Sequence, residues 1–174
     1  IITVGRFVQQ KDYETAIHAI SLLRDRYNNV VFDIVGYGEL EEQVRGWVKK
    51  YKIDDITTIY INPNNIPELL DKADIYLSTS LFEGTSNSIM EAMNADLPIV
   101  ATNVGDNSQL VKNNVNGFLC EKKNWVDIAS KLEILVKDDI LRQEKGEESK
   151  KLLRANYSID KFRQSYIDFL LKYM

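Results

Sequence analysis

Cysteine, histidine and proline are scarce here: 174 residues contain one cysteine, one histidine and three prolines. A lone Cys120 excludes an internal disulfide, and its place in the apolar run Gly117-Phe118-Leu119-Cys120 marks it as a small core residue. His18 lies beside, but off, the apolar stripe of a helical pattern, which removes it as a candidate base. No Cys/His cluster has metal-ligand spacing and no Asp-x-Asp pair occurs, so no dedicated metal site is expected. No segment approaches the ~20 consecutive apolar residues of a membrane-spanning helix, and no signal-peptide pattern opens the chain. A cytoplasmic setting is therefore the expectation. A basic excess is also missing: 22 Lys and Arg stand against 26 Asp and Glu, a formal net charge of -4 that argues against nucleic acid as a partner.

What is present is the composition of a globular domain, 44% hydrophobic and 28% charged. A chain of this length buries roughly 70% of the surface its unfolded form exposes, enough for a real core. Apolar strand-like runs occur at Ile1 to Val4, Val30 to Val35, Thr57 to Ile61, Asp74 to Ser78, Leu97 to Thr102 and Gly117 to Cys120. Between them, Tyr13, Ile17, Ile20, Leu23 and Tyr27 recur at helical spacing, as do Leu40, Val44, Trp47 and Tyr51, with shorter patterns at 66–70 and 128–136. This alternation predicts an α/β fold: a Rossmann-like parallel sheet of about six strands, helices on both faces, and ligand binding at the carboxyl ends of the strands. After Cys120 the pattern is helical, with breaks expected near Asp138, Gly146 and Ser158. The charged stretch Lys145 to Arg154 reads as a solvated helix face. A terminal helix over 158–174 is expected, with Ser158 as N-cap and Phe162, Tyr166, Phe169 and Leu170 as a core-facing stripe. Because Ile1 to Val4 already reads as a strand in progress, with no initiator Met, a preceding domain is expected.

The densest chemistry lies in Phe82-Glu83-Gly84-Thr85-Ser86-Asn87-Ser88-Ile89-Met90-Glu91-Ala92-Met93, two carboxylates flanking a small polar turn between a strand and a helix. Free amides and the positive end of a helix dipole favour an anion at such a junction. Thr85, Ser86, Asn87 and Ser88 are small enough for close backbone approach by a phosphate. Arg6 and Lys11, just after the first strand, can point into the same crevice and neutralise a diphosphate. Gly36-Tyr37-Gly38 follows the second strand and fits either a tight turn or close approach by a nucleotide; it is not a GxGxxG fingerprint. Spacing alone also leaves open a hydrolase in which Glu83 and Glu91 are acid and base.

Val4-Gly5-Arg6-x4-Lys11, Val35-Gly36-Tyr37-Gly38, Ala73-Asp74-Ile75-Tyr76-Leu77-Ser78-Thr79-Ser80 and Glu83-Gly84-x6-Glu91-Ala92-Met93 together resemble group 1 (family 4) retaining glycosyltransferases, a likeness that Pro98 to Thr102 and Asn116-Gly117 extend over nearly the whole chain. The resemblance implies one half of a GT-B enzyme, the C-terminal nucleotide-sugar-binding domain spanning 1–174, with an N-terminal acceptor domain missing. By the same resemblance, Arg6 and Lys11 hold the donor diphosphate, with Gly5, Gly36, Gly38 and Thr85 to Ser88 around it. Glu91 receives the ribose hydroxyls, Glu83 contacts the transferred sugar, and Asn62 to Asn65 lie near the base.

Also implied are a UDP-linked or GDP-linked hexose-type donor, no metal cofactor, a saccharide or lipid-linked acceptor, and retention of configuration. Assembly of cell-surface polysaccharide or glycolipid at the inner face of the membrane is the expected setting, with peripheral membrane association of the full-length protein. The isolated fragment is expected to bind donor without transferring sugar. The chain departs from the family at Lys11-Asp12, Asp96-Leu97-Pro98, Gly105-Asp106 and Gln109, where relatives often have Lys-Gly, a glycine before the proline, Gly-Gly and a glutamate. A non-catalytic module of the same fold, binding a nucleotide or a partner protein, is the alternative.

Overall fold

The computed structural model describes residues 1–172 and, within them, every side chain except those of Ile159, Phe162, Ser165 and Lys172. All six expected strands form: β1 (Ile2–Arg6), β2 (Phe32–Tyr37), β3 (Thr57–Ile61), β4 (Tyr76–Ser78), β5 (Ile99–Thr102) and β6 (Gly117–Cys120). They make one parallel sheet of order β3-β2-β1-β4-β5-β6. The strand runs read from sequence begin early at Ile1, Val30, Asp74 and Leu97, and β1 and β2 run on to Arg6 and Tyr37. The helices are α1 (Tyr13–Arg24), α2 (Glu41–Lys50), α3 (Ile66–Asp71), α4 (Asn87–Asn94), the short α5 (Asn107–Leu110), α6 (Trp125–Lys137), α7 (Asp139–Tyr157) and α8 (Ile159–Lys172).

Successive strand side chains point to opposite faces, so a strand that is apolar at every position feeds two cores. On one face Ile34, Leu77, Val100 and Phe118 pack against Ile17 and Ile20 of α1, Val44 of α2 and Leu132 of α6. On the other, Val35, Tyr76, Ile99 and Ala101 meet Leu70 of α3 and Ile89 and Met93 of α4, with Leu152 and Leu153 of α7 alongside. Each fully buried Ile or Leu contributes roughly 1.5–3 kcal/mol. The edge strand β3 is only partly buried, so the expectation of strands covered on both faces fails there. Cys120 is buried as expected, and burial pushes its thiol up to about 12. Outside the first core, Glu133 of α6 accepts hydrogen bonds from Tyr27 Oη and Arg26; hydrogen bonding from Lys137, then Tyr27, holds its carboxyl down at about 2.

Three expectations for the tail need correction. Asp138 and Ser158 do separate helices, each capping the next one, but α7 runs straight through Gly146. A Cβ at Gly146 would lie 1.9 Å from the Asp96 carbonyl oxygen, so this glycine serves close packing and not a break. Nor is Lys145 to Arg154 simply solvated: Lys145 and Ser149 are buried, the lysine amine donating to the Asn114 carbonyl and the serine bonding to Asn116. The apolar stripe of α8 is not core in this chain, since Tyr166 and Phe169 are 57% and 58% exposed and Leu170 is also exposed. Helical periodicity shows that a face is apolar, not which surface covers it. The Phe162 side chain, and the last two residues of the expected 158–174 helix, lie outside what is described.

Between β1 and β4 the winding direction reverses. Chain segments leave these neighbouring strands toward opposite edges of the sheet, which opens a crevice at their carboxyl ends, the ligand position in open α/β sheets.

Candidate functional site

The two strands pair only at Ile2 and Tyr76 and then diverge. Phenols satisfy the backbone of β1 beyond that point: Tyr76 Oη donates to the Val4 carbonyl at 3.2 Å and Tyr13 Oη to the Gly5 carbonyl at 2.8 Å. Burial pushes both phenols above their ordinary value, so they stay neutral donors. After β1 the fully buried Phe7 fixes the loop, its amide donating to the Tyr37 carbonyl and its carbonyl accepting from Leu40. Gly36 and Gly38 permit this. A Cβ on Gly36 would sit 1.9 Å from the Gly5 carbonyl oxygen, and one on Gly38 would sit 2.6 Å from that of Phe7. Both glycines are thus required by the close approach of the β1 segment.

The β1 loop is tied across the crevice to the loop after β4. Thr79 Oγ1 donates to the carbonyls of Lys11 and Asp12, the Leu81 amide donates to the Gln10 carbonyl at 2.7 Å, and Gln10 Nε2 donates to the Phe82 carbonyl at 2.9 Å. These bonds bring Lys11 Nζ to 2.6 Å from Glu83 Oε1, which also accepts from Ser80 Oγ at 2.6 Å. The pair is largely enclosed, with side-chain exposures of 19% for Lys11 and 7% for Glu83. Gly5 leaves room for it: a Cβ there would lie 3.2 Å from Lys11 Cε and 3.3 Å from Tyr13 Oη. Arg6, at the end of β1, is exposed and forms no ion pair among the described residues.

Glu83 leads into α4, whose N-cap is Ser86. The buried Ser86 side chain accepts from the Ile89 amide at 3.4 Å and lies 3.3 Å from the Ser88 hydroxyl. The amides of Asn87 and Ser88, the first two of the helix, have no intrahelical acceptor and point out of its positive end. Thr85 and Asn87 are exposed, and nothing lies within 4 Å of the position a Cβ would take on Gly84. Further along α4, the exposed Glu91 lines a cavity of about 370 Å³ with Pro63, Asn64, Ile66, Leu70 and Asn94. This cavity joins Glu91 to Pro63 and Asn64 of the segment after β3.

Of the residues singled out from sequence, the structure joins Lys11 to Glu83, with Gly5 beside Lys11; Thr85 to Ser88 follow Glu83 in the chain, Arg6 ends β1 and Glu91 lies one turn into α4. Sequence reasoning did not find the roles of Gln10 and Thr79, which depend on two distant loops crossing, nor those of Ser80 and Tyr13, whose partners Glu83 and Gly5 are close in the chain. It also missed α5, although Gly105 and Asp106 before it are a turn signal. Gly105 has φ 51°, and a Cβ there would lie 1.8 Å from the Glu83 carbonyl oxygen, so this turn presses on the glutamate loop. At the same turn the Asn107 side chain is fully buried, its Nδ2 bonded to the Thr102 carbonyl and its Oδ1 left without a donor. Among the described residues, no group of three or more His, Cys, Asp or Glu is placed to hold a metal ion, and no helix is long and apolar enough to cross a membrane.

The family model for glycosyl transferases group 1 matches residues 1–152. Poly(ribitol-phosphate) alpha-N-acetylglucosaminyltransferase of Staphylococcus aureus is 25% identical over 166 residues, which cover 95% of this chain and 34% of that protein. A crystal structure of a mutant of S. aureus TarM, in complex with Fondaparinux, alpha-GlcNAc-glycerol and UDP, matches with a TM-score of 0.90 at 26% identity over 96% of this chain and 34% of that one. The C-terminal domain of LpcC, a glycosyl transferase group 1 family protein of Francisella tularensis, matches with a TM-score of 0.81 at 25% identity, covering 91% of this chain and 86% of that one. The chain spans about a third to a half of the length of the curated relatives it matches. With its sheet laid out as in that C-terminal domain and the family model running from its first residue through most of α7, this chain belongs to the group 1 glycosyl transferases.

Proposed function

We propose that this chain is the nucleotide-sugar-binding half of a sugar transferase. The donor is a UDP-linked or GDP-linked hexose-type sugar, and the acceptor is a saccharide or lipid-linked saccharide engaged mainly by an N-terminal domain. Assembly of a cell-surface polysaccharide or glycolipid on the cytoplasmic side of the membrane, with retention of configuration, is the reading that fits the relatives. The observation that carries the proposal is the enclosed Lys11–Glu83 pair, a cation held on the loop that leads into α4, whose first amides lack intrahelical acceptors.

A lysine ammonium has three donors, and one is used on Glu83. The others are free for a diphosphate whose remaining oxygens meet the Asn87 and Ser88 amides, with Arg6 adding a planar cation at the end of β1. When the bond from the sugar's anomeric carbon to the diphosphate breaks, negative charge grows on that oxygen. Cations and helix amides already in place there stabilise it without a metal. Glu83 both holds Lys11 and lies beside the sugar, and Glu91 accepts the ribose hydroxyls while the base occupies the neighbouring cavity. Because the acceptor contacts belong to another domain, the isolated chain binds donor but transfers no sugar.

Calorimetric titration with UDP, GDP, ADP and their sugars tests this reading. Saturable binding of at least one nucleoside diphosphate is expected, and absence of binding at millimolar ligand contradicts it. Glu91→Ala is expected to weaken the binding seen by roughly 1–3 kcal/mol, the scale of a lost hydrogen bond to a charged acceptor. An unchanged affinity would remove Glu91 from the site.

A further inference from the structure

We propose that Asp106 sets the charge preference of the donor-sugar position, admitting neutral sugars and disfavouring acidic ones. The inference rests on the donor-site reading above. Three aspartates stand where the family resemblance has glycine, and the structure separates them. Asp12 and Asp96 have φ of 47° and 55°, the left-handed region in which Asp is better tolerated than most residues. Each has a local partner: Asp12 Oδ2 accepts from Thr15 Oγ1, and Asp96 pairs with Lys150. Asp106 is different, with φ −84° and ψ 4°, so no backbone demand accounts for the side chain.

Its carboxylate turns instead to the glutamate loop. Oδ2 accepts from Thr85 Oγ1 at 3.0 Å and Oδ1 from Gln109 Nε2 at 3.1 Å. Together with the Gly105 turn against the Glu83 carbonyl, this places a carboxylate across two contacts that flank Gly84, the residue beside which space is open. Among the described residues no cation pairs with Asp106, and its two neutral partners leave its charge in full. A sugar carried on a diphosphate between Lys11 and the start of α4 falls within reach of that loop. An acceptor-only carboxylate with unused lone pairs takes hydrogen bonds from sugar hydroxyls and repels a uronate.

Asp106→Asn keeps the shape and the oxygen facing Thr85 while removing the charge. Wild type and variant are titrated with UDP-glucose and UDP-glucuronate, and with GDP-mannose and GDP-mannuronate as the guanine pair, using UDP and GDP alone as references. Wild type is expected to bind the neutral member of a pair on the order of tenfold more tightly, as for like charges held several ångströms apart near a surface. In Asp106→Asn that ratio falls toward one, because the acidic donor gains affinity. Asp106→Gly, which also removes the bond to Thr85, gives the same fall in ratio if charge is the agent. A ratio that stays unchanged in Asp106→Asn, or equal binding of both donors by wild type, overturns the inference while leaving the donor site intact. Failure of all six ligands to bind overturns the donor reading and this inference with it.

Discussion

Replacing Lys11 by alanine is expected to cost this chain both its ligand and part of its stability. The loss of affinity for nucleoside diphosphate should be roughly 10- to 100-fold, the value of a charge-assisted hydrogen bond to phosphate. The stability effect follows from Glu83, whose side chain is only 7% exposed. Without Lys11 it keeps its bonds from Ser80 and Gln10 but loses its only cation among the described residues. Breaking a buried pair on one side typically costs about 3–5 kcal/mol; since Lys11 is partly open to solvent, about 2–3 kcal/mol is the expectation here. Urea denaturation measures one loss and calorimetry the other. The double variant Lys11→Ala with Glu83→Gln removes the stranded charge, so stability should largely recover while binding does not. If the two substitutions destabilise additively, the pair is not coupled as the geometry requires.

Gly146→Ala is expected to lower the melting temperature by roughly 5–10 °C. Helix propensity alone points the other way, because alanine in a helix interior is favoured over glycine by about 1 kcal/mol. Here the added Cβ would fall 1.9 Å from the Asp96 carbonyl oxygen and 2.9 Å from its carbon. Backbone cannot swing aside as a side chain can, and Asp96 is held further by Lys150 from the same helix. To relieve the clash, α7 must back away from the turn after α4 and loosen Leu152 and Leu153 against the second core. Overpacking of this kind costs about 2–3 kcal/mol, which gives the stated shift for a domain of this size. Thermal unfolding followed by circular dichroism decides between the two signs, and a raised melting temperature would mean that α7 moves freely over Asp96.

Gly146 also shows where reading a sequence reaches its limit. A glycine in a helical pattern can end the helix or let another segment approach, and only the position of Asp96 decides. The six strands were legible as short runs rich in apolar and β-branched residues, β3 included although it is only partly buried, a pattern that needs no knowledge of neighbours. Lys11 and Glu83 stand out in the sequence because each closely follows a strand end, and the structure pairs them. Their supports do not stand out. Thr79 and Gln10 act only because the loops after β1 and β4 cross, a contact over about seventy residues of chain, while Ser80, three residues from Glu83, reads as an ordinary loop serine. Lys145 reads as solvated because charge predicts exposure, yet the Asn114 carbonyl meets its amine. The stripe of α8 reads as core because it is apolar, yet Tyr166, Phe169 and Leu170 are exposed.

The most direct measurement is a nuclear magnetic resonance titration of the isotopically labelled chain with UDP, then GDP, following backbone amides and the Lys11 ammonium. Saturable shifts concentrated at Asn87, Ser88 and Lys11 are the expected result. Binding that moves resonances elsewhere and leaves those three groups unchanged would contradict a diphosphate seated at the start of α4.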